Sequence, residues 1–362
     1  MKKINKKIIS LVIPTTSVVG SLWMLSLSVA EPTNYQRSNN NSYFDDKYSQ
    51  AIVNFADWMK NVDSSKKLSE LSIPGTHDSA MWDYKGVAGL FGSSWALTQS
   101  KNFSQQLIAG IRFFDIRVAG FHYGLALKHG PVWANTNLEA FFQSVKTFLS
   151  AHPSEVVLFR IQQEDVDVSK YNWNQKKDWE KVINRMLDKY KDIFFDYKSK
   201  PKGYIPTLGE SRGKAIMFNN FDSSISSNVN YGPHMGNDRN LFAIQDFYDN
   251  VNATSKFNAW KTTIVNANES KGSINGENFY VNFLSWANGK QPSSNARQTL
   301  PLAYKWLREN PKITFTGITP MDYFGPGMVE EKWLNVIILE IVFKFNLVDI
   351  QEALVQLIKL LL

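Results

Sequence analysis

Arg112-Phe113-Phe114-Asp115-Ile116-Arg117-Val118 decides how the chain is read. Aromatic and β-branched side chains make it a buried strand. The two-residue repeat of a strand then puts Asp115 and Arg117 on one face. A carboxylate and a guanidinium there are costly unless they pair or act. They are either an ion pair inside a barrel or an arginine presented to an anionic substrate, which suits its fork geometry.

Working outward, similar short apolar runs recur. Leu71–Ile73, Leu125–His129, Val156–Ile161, Lys214–Asn219, Phe242–Asp246, Phe279–Ser285 and Ile313–Pro320 are the other predicted strands. Helical patterns fall between them at Leu138–Ala151, 174–193, 256–269 and 296–309. The first of these is capped by Asn137 and stopped before Pro153. Strands alternating with helices predict an α/β protein, a single domain over 47–345 built as a parallel barrel.

The flanks read differently. Residues 1–30 hold Lys2, Lys3, Lys6 and Lys7, then an apolar run, then Ser28-Val29-Ala30. This is the pattern of a cleaved signal peptide, and it predicts a secreted protein. An uncleaved anchor is the alternative, disfavoured by Pro14 and the hydroxyl residues after it. Residues 31–46 are polar and read as a flexible linker. Residues 346–362 read as an amphipathic C-terminal extension, with membrane contact as the alternative.

Net charge is +7, but only +3 without the four leader lysines. That gives no case for a nucleic-acid partner. The chain has no cysteine, which excludes disulfides, thiolate metal sites and cysteine nucleophiles.

Five histidines remain to be weighed. His77 lies in Ile73-Pro74-Gly75-Thr76-His77-Asp78-Ser79, after a short strand and a Pro-Gly turn. His129 ends a strand before Gly130-Pro131. Barrel enzymes carry their sites at strand ends. His152 closes a helix, and His122 and His234 lie in loops. Two later predicted strands end near acids, Asp246 and Asp322. Either could orient a histidine, or cap a turn. Two histidines and an arginine suit phosphodiester cleavage. One histidine takes a proton from a hydroxyl, the other gives one to the leaving oxygen, and the arginine offsets phosphoryl charge.

Ser72–Ser79, Phe114-Asp115-Ile116-Arg117 and His129-Gly130-Pro131 resemble the bacterial phosphatidylinositol-specific phospholipases C. The likeness continues through Pro153-Ser154-Glu155, Arg212-Gly213-Lys214, Gln245-Asp246-Phe247-Tyr248, Val281-Asn282-Phe283 and Asp322-Tyr323. It implies a single irregular (β/α)8 TIM-type barrel that cleaves phosphatidylinositol to diacylglycerol and inositol 1,2-cyclic phosphate. By that resemblance His77 is the general base, oriented by Asp322. His129 with Asp78 is the general acid, Arg117 holds the phosphate and Asp115 tunes the site. Asp246 and Tyr248 match inositol contacts, the tyrosine by stacking. An acid binds calcium at the position of Arg117 in calcium-dependent relatives, so no cofactor and no metal are expected.

Two positions depart from the pattern. Gln162-Gln163 stands where the family has a lysine, and Asn219-Asn220 where it has an arginine. Gln163 and Asn220 are therefore taken as altered headgroup contacts, since amides still bond hydroxyls. Trp95 aligns with a rim tryptophan that the family inserts into membranes, and Trp286 is a second candidate. Barrel packing is the alternative for both. The expected partner is a phosphatidylinositol-containing membrane surface, met by a monomer. The competing readings are a phosphodiesterase of the same fold acting on another lipid or a glycerophosphodiester, and an inactive lipid- or glycan-binding surface protein.

Overall fold

β1 (Ile73–Thr76) is the centre of the sheet. In this computed structural model it pairs in parallel with β2 (Phe113–Phe121) on one side and β9 (Ile318–Met321) on the other. Described are residues 44, 54–84, 93–121, 124–164, 175–221, 231–235, 240–269 and 277–329. The predicted signal peptide and the C-terminal extension lie outside them, as do His122 and all of the linker except Phe44.

Pro74 and Gly75 lie inside β1, not in a turn after it as the sequence predicts. The reason is the ring of Phe113. A Cβ on Gly75 would stand 2.9 Å from Phe113 Cδ1, so only glycine lets the two strands pair here. The strand therefore reaches as far as Thr76, next to His77.

The parallel set continues through β5 (Val157–Gln163) to β6 (Ala215–Asn220) on the β2 side. On the other side it continues through β8 (Phe279–Asn282) to β7 (Phe242–Gln245). No pairing joins β6 to β7 among the described residues. Aromatic rings meet there instead. Phe218 of β6 stands 5.0 Å from Phe242 and 4.9 Å from Phe279, and Phe242 stacks on Phe279 at 5.6 Å. Each such side chain contributes about 1.5–3 kcal/mol by burial. The result is the predicted irregular TIM-type barrel.

One strand is not where the sequence puts it. Leu125–His129 is not a barrel strand but β3 (Gly124–His129), antiparallel to the outer half of β2 and followed by antiparallel β4 (Val132–Asn137). β2 is nine residues long and carries on past its parallel partners. β3 brings the chain back, so that His129 returns to the barrel mouth.

Helix Leu138–Ala151 forms as predicted. Asn137 accepts a bond from Ala140 N, and Leu138, Phe141, Phe142, Val145, Phe148 and Leu149 make one buried stripe. Helix Pro292–Glu309 starts earlier than predicted, because Pro292 occupies its first turn, where no N–H is needed. The opposite end of the barrel is closed by Arg112. It bonds Glu155 through Nε and Nη2, at 3.0 and 2.8 Å, and the carbonyls of Leu107, Ile111 and Ala56. Glu155 and Arg212, both in motifs of the sequence, thus serve architecture.

Candidate active site

Register builds the site. Thr76 of β1 opposes Met321 of β9, so His77 and Asp322 emerge side by side, and His77 N donates to Met321 O. Their side chains meet at 2.8 Å, Nδ1 to Oδ1. Thr76 also opposes Phe114 of β2, which brings Asp115 and Arg117 to the other side of His77. Arg117 Nη2 donates to His77 Nε2 at 2.9 Å.

These bonds assign the tautomer. A guanidinium can only donate, so Nε2 presents its lone pair and the ring proton sits on Nδ1, toward Asp322. Burial and the Arg117 charge push His77 down to about 4. Burial pushes Asp322 up to about 8, and the Nδ1–H bond, which needs an acceptor, works the other way. His77 is thus a neutral base whose Nε2 lone pair accepts from Arg117.

Asp78 and Asp115 hold Arg117, each at 3.4 Å from Nε, and Glu164 lies 3.8 Å from Nη1. Burial alone would raise Asp115, but Arg160 and Arg117 outweigh it and keep this carboxyl well below the usual range. Burial raises Asp78 against the pull of Arg117 and His129. Burial would lower Arg117, yet the carboxylates of Asp78 and Asp115 raise it above the ordinary value. Asp78 has a left-handed backbone, φ 46°, which aspartate tolerates. Its N–H bonds Asp115 at 3.2 Å, and Ser79 ties the same loop to β2.

His129 stands opposite His77, the ring centres 6.1 Å apart and nearly perpendicular. Its Nδ1 lies 3.0 Å from the Ala96 carbonyl, and 3.6 Å from Asp78 Oδ2. With Nδ1 donating to Ala96, Nε2 is left to exchange a proton. Both histidines can therefore act on one phosphoryl group held by Arg117. Among the described residues no group of three or more His, Cys, Asp or Glu is placed to hold a metal ion.

The expected headgroup contacts are placed unevenly. Asn220 shares the inward face of β6 with Phe218. Gln163 does not face it. The pleat of β5 carries Gln162 to that side, where Asn220 Nδ2 lies 3.5 Å from Gln162 Oε1. The amide at the pocket wall is therefore Gln162, and Gln163 is corrected to the outer face, beside Val118. Asp246 and Tyr248 follow β7, exposed at the mouth, with Asp246 close enough to act on Arg117.

Trp95 is 45% exposed and precedes Ala96, the residue that touches His129. Trp286 is corrected: it is 5% exposed and packs on helix Pro292–Glu309, its indole N–H bonded to Thr299 Oγ1 at 2.6 Å. Among the described residues, the exposed aromatic at the mouth besides Trp95 and Tyr248 is Phe247. Its only sequence signal was its place between Asp246 and Tyr248.

Sequence reading also missed Lys256. It is fully buried, and Nζ bonds Gln245 Oε1 at 3.0 Å and the Phe247 carbonyl at 2.8 Å. Burial lowers it to about 8 against the pull of Asp246 and Asp322. It tethers the segment that presents Asp246 and Tyr248. A lysine one turn into a helix gives no sign of this from sequence.

The site is thus a parallel barrel with two histidines around an arginine at its mouth. Comparison with known proteins points to phospholipases C. The PI-PLC X family model, described as "PI-PLC X 1", matches residues 64–190. The 1-phosphatidylinositol phosphodiesterase of Staphylococcus aureus strain Newman is 29% identical over 290 residues, 74% of this chain and 88% of that protein. That of Listeria monocytogenes is 29% identical over 222 residues, 60% of this chain and 65% of its own length. A solved S. aureus phosphatidylinositol-specific phospholipase C superposes with a TM-score of 0.63 at 26% identity, over 77% of this chain and 97% of the other. The Listeria monocytogenes enzyme shares the fold, with a TM-score of 0.66 at 24% identity over 78% and 99%. Part of the chain thus matches the PI-PLC X family model, and about three quarters of it is similar in sequence and fold to the bacterial phosphatidylinositol-specific phospholipases C.

Proposed function

We propose that this protein is a phosphatidylinositol diacylglycerol-lyase. His77 Nε2 takes the proton of the inositol 2-hydroxyl. That oxygen attacks phosphorus, the bond to the diacylglycerol oxygen breaks, and His129 Nε2–H protonates the leaving oxygen. The products are diacylglycerol and inositol 1,2-cyclic phosphate. Arg117 offsets the charge that grows on the phosphoryl oxygens. The observation that carries this reading is the bond from Arg117 to His77 Nε2, with Asp322 behind Nδ1. It unites a base of fixed tautomer with a phosphate-sized cation.

The guanidinium of Arg117 occupies the place where a divalent cation would neutralise the phosphate, and supports a metal-independent reaction. The exposed Trp95 at the mouth supports docking on a phosphatidylinositol-containing surface. The basic and apolar leader supports secretion. One observation favours a second reading, the same chemistry on another lipid or glycerophosphodiester: the pocket wall offers the amides of Gln162 and Asn220 in place of cations. An inactive binder is disfavoured, since it would have no need of two oriented histidines.

A headgroup panel assayed with excess chelator tests this. Wild-type protein should turn over phosphatidylinositol undiminished, and H77A should lose at least about 10³-fold in kcat with unchanged thermal unfolding. Preference for another headgroup, a strict Ca²⁺ requirement, or full H77A activity would each contradict the corresponding element.

A further inference from the structure

Arg160 has no role in the chemistry above. It projects from β5 on the face of Asp115, one pleat below Gln162 and Asn220. Its Nε donates to Asp115 Oδ1 at 2.8 Å. Its guanidinium carbon stands 5.0 Å from the centre of the Phe283 ring, and that ring lies edge-on to His77, 6.1 Å away. Arg160 is therefore part of the pocket floor, 5% exposed. Nη1 and Nη2 make no hydrogen bond among the described residues.

Neutralising Asp115 needs one donor, which Nε supplies. The rest of the guanidinium is a rigid donor edge, held flat against an aromatic ring. Nη1 and Nη2 are not among the buried polar atoms left without a partner, so this donor edge is open to what enters the barrel. We propose that Arg160 reads the headgroup, its Nη1 and Nη2 donating to hydroxyls on the edge of the polyol ring that enters the barrel, while Arg117 holds the phosphate. Neutral hydroxyls fit better than a second phosphate, because the carboxyl groups of Asp78, Asp115, Glu164 and Asp246 outnumber the cations of Arg117, Arg160 and Lys256. Arg160 thus sets specificity from the floor, where Gln162 and Asn220 do so from the wall. The inference rests on the function proposed above.

The test pairs deletions on both sides. Wild type, R160M and R160K are assayed on phosphatidylinositol and on analogues that each lack one ring hydroxyl other than the attacking one, with thermal unfolding as the fold check. Wild-type turnover of the parent lipid decides the function itself, and its absence removes both readings. Given turnover, wild type should lose about 10- to 100-fold in kcat/KM on one analogue, the worth of a hydrogen bond to a charged group. R160M should lose about as much on the parent lipid, mainly through KM, and change less than about 2-fold on removal of that hydroxyl. R160K keeps the charge beside Asp115 but not the fork, and should resemble R160M; it also provides the comparison if R160M is unstable. A uniform loss on every analogue, wild-type behaviour of R160K, or preference for a ring-phosphorylated lipid would overturn the proposal.

Discussion

Arg117 is where the charges of the site meet. It touches His77, Asp78 and Asp115 within 3.4 Å, and its charge helps to depress the base it touches. The sign of the pH dependence follows. The neutral ring of His77 is the competent form, so activity should persist as pH falls through 6.5 and be lost only toward 4. In R117M the ring keeps its burial but loses the repelling cation, so the acid limb of kcat/KM should move up. The loss of a phosphate donor should also cost about 10²–10³-fold. An unmoved limb would show that Arg117 does not tune His77. Asp115 and Arg117 were legible in sequence because strand alternation is a rigid rule. The same rule separates Gln162 from Gln163, and assigning the family position to the second of two identical residues placed it on the wrong face.

At the scale of elements, the site is made by strand ends and one return. The parallel register of β1 and β9 sets His77 beside Asp322 without help from any loop. His129 arrives by the antiparallel β3, which sequence could not distinguish from a barrel strand, since Gly130-Pro131 marks a hairpin turn and a strand stop alike. Helix Leu138–Ala151 was readable to the residue because cap, stripe and terminator coincide. Trp286 was not, because its burial comes from Thr299 on a helix thirteen residues on. The segment after β7 depends on Lys256. K256M should leave Gln245 and the Phe247 carbonyl without their donor and let Asp246 and Tyr248 wander. KM should rise about tenfold with kcat within about threefold. A kcat loss at unchanged KM would place Lys256 in the chemistry instead.

For the whole molecule, the barrel was legible as a class from alternating strands and helices. The place of its irregularity was not, because the β6–β7 pairing, absent among the described residues, is replaced by contacts among Phe218, Phe242 and Phe279 that no local pattern announces. The candidate site is untouched by this irregularity, since Arg117 stands on β2 and His77 and Asp322 directly follow the adjacent β1 and β9. In the function proposed above, the attacking hydroxyl belongs to the lipid headgroup and the cyclic diester is the released product. ³¹P NMR of phosphatidylinositol incubated with the protein and a chelator tests this most directly. The resonance of a five-membered cyclic phosphodiester should appear first, ahead of any monoester. Direct appearance of inositol 1-phosphate, or of phosphatidic acid, would contradict the assignment of His77 as base to the headgroup hydroxyl.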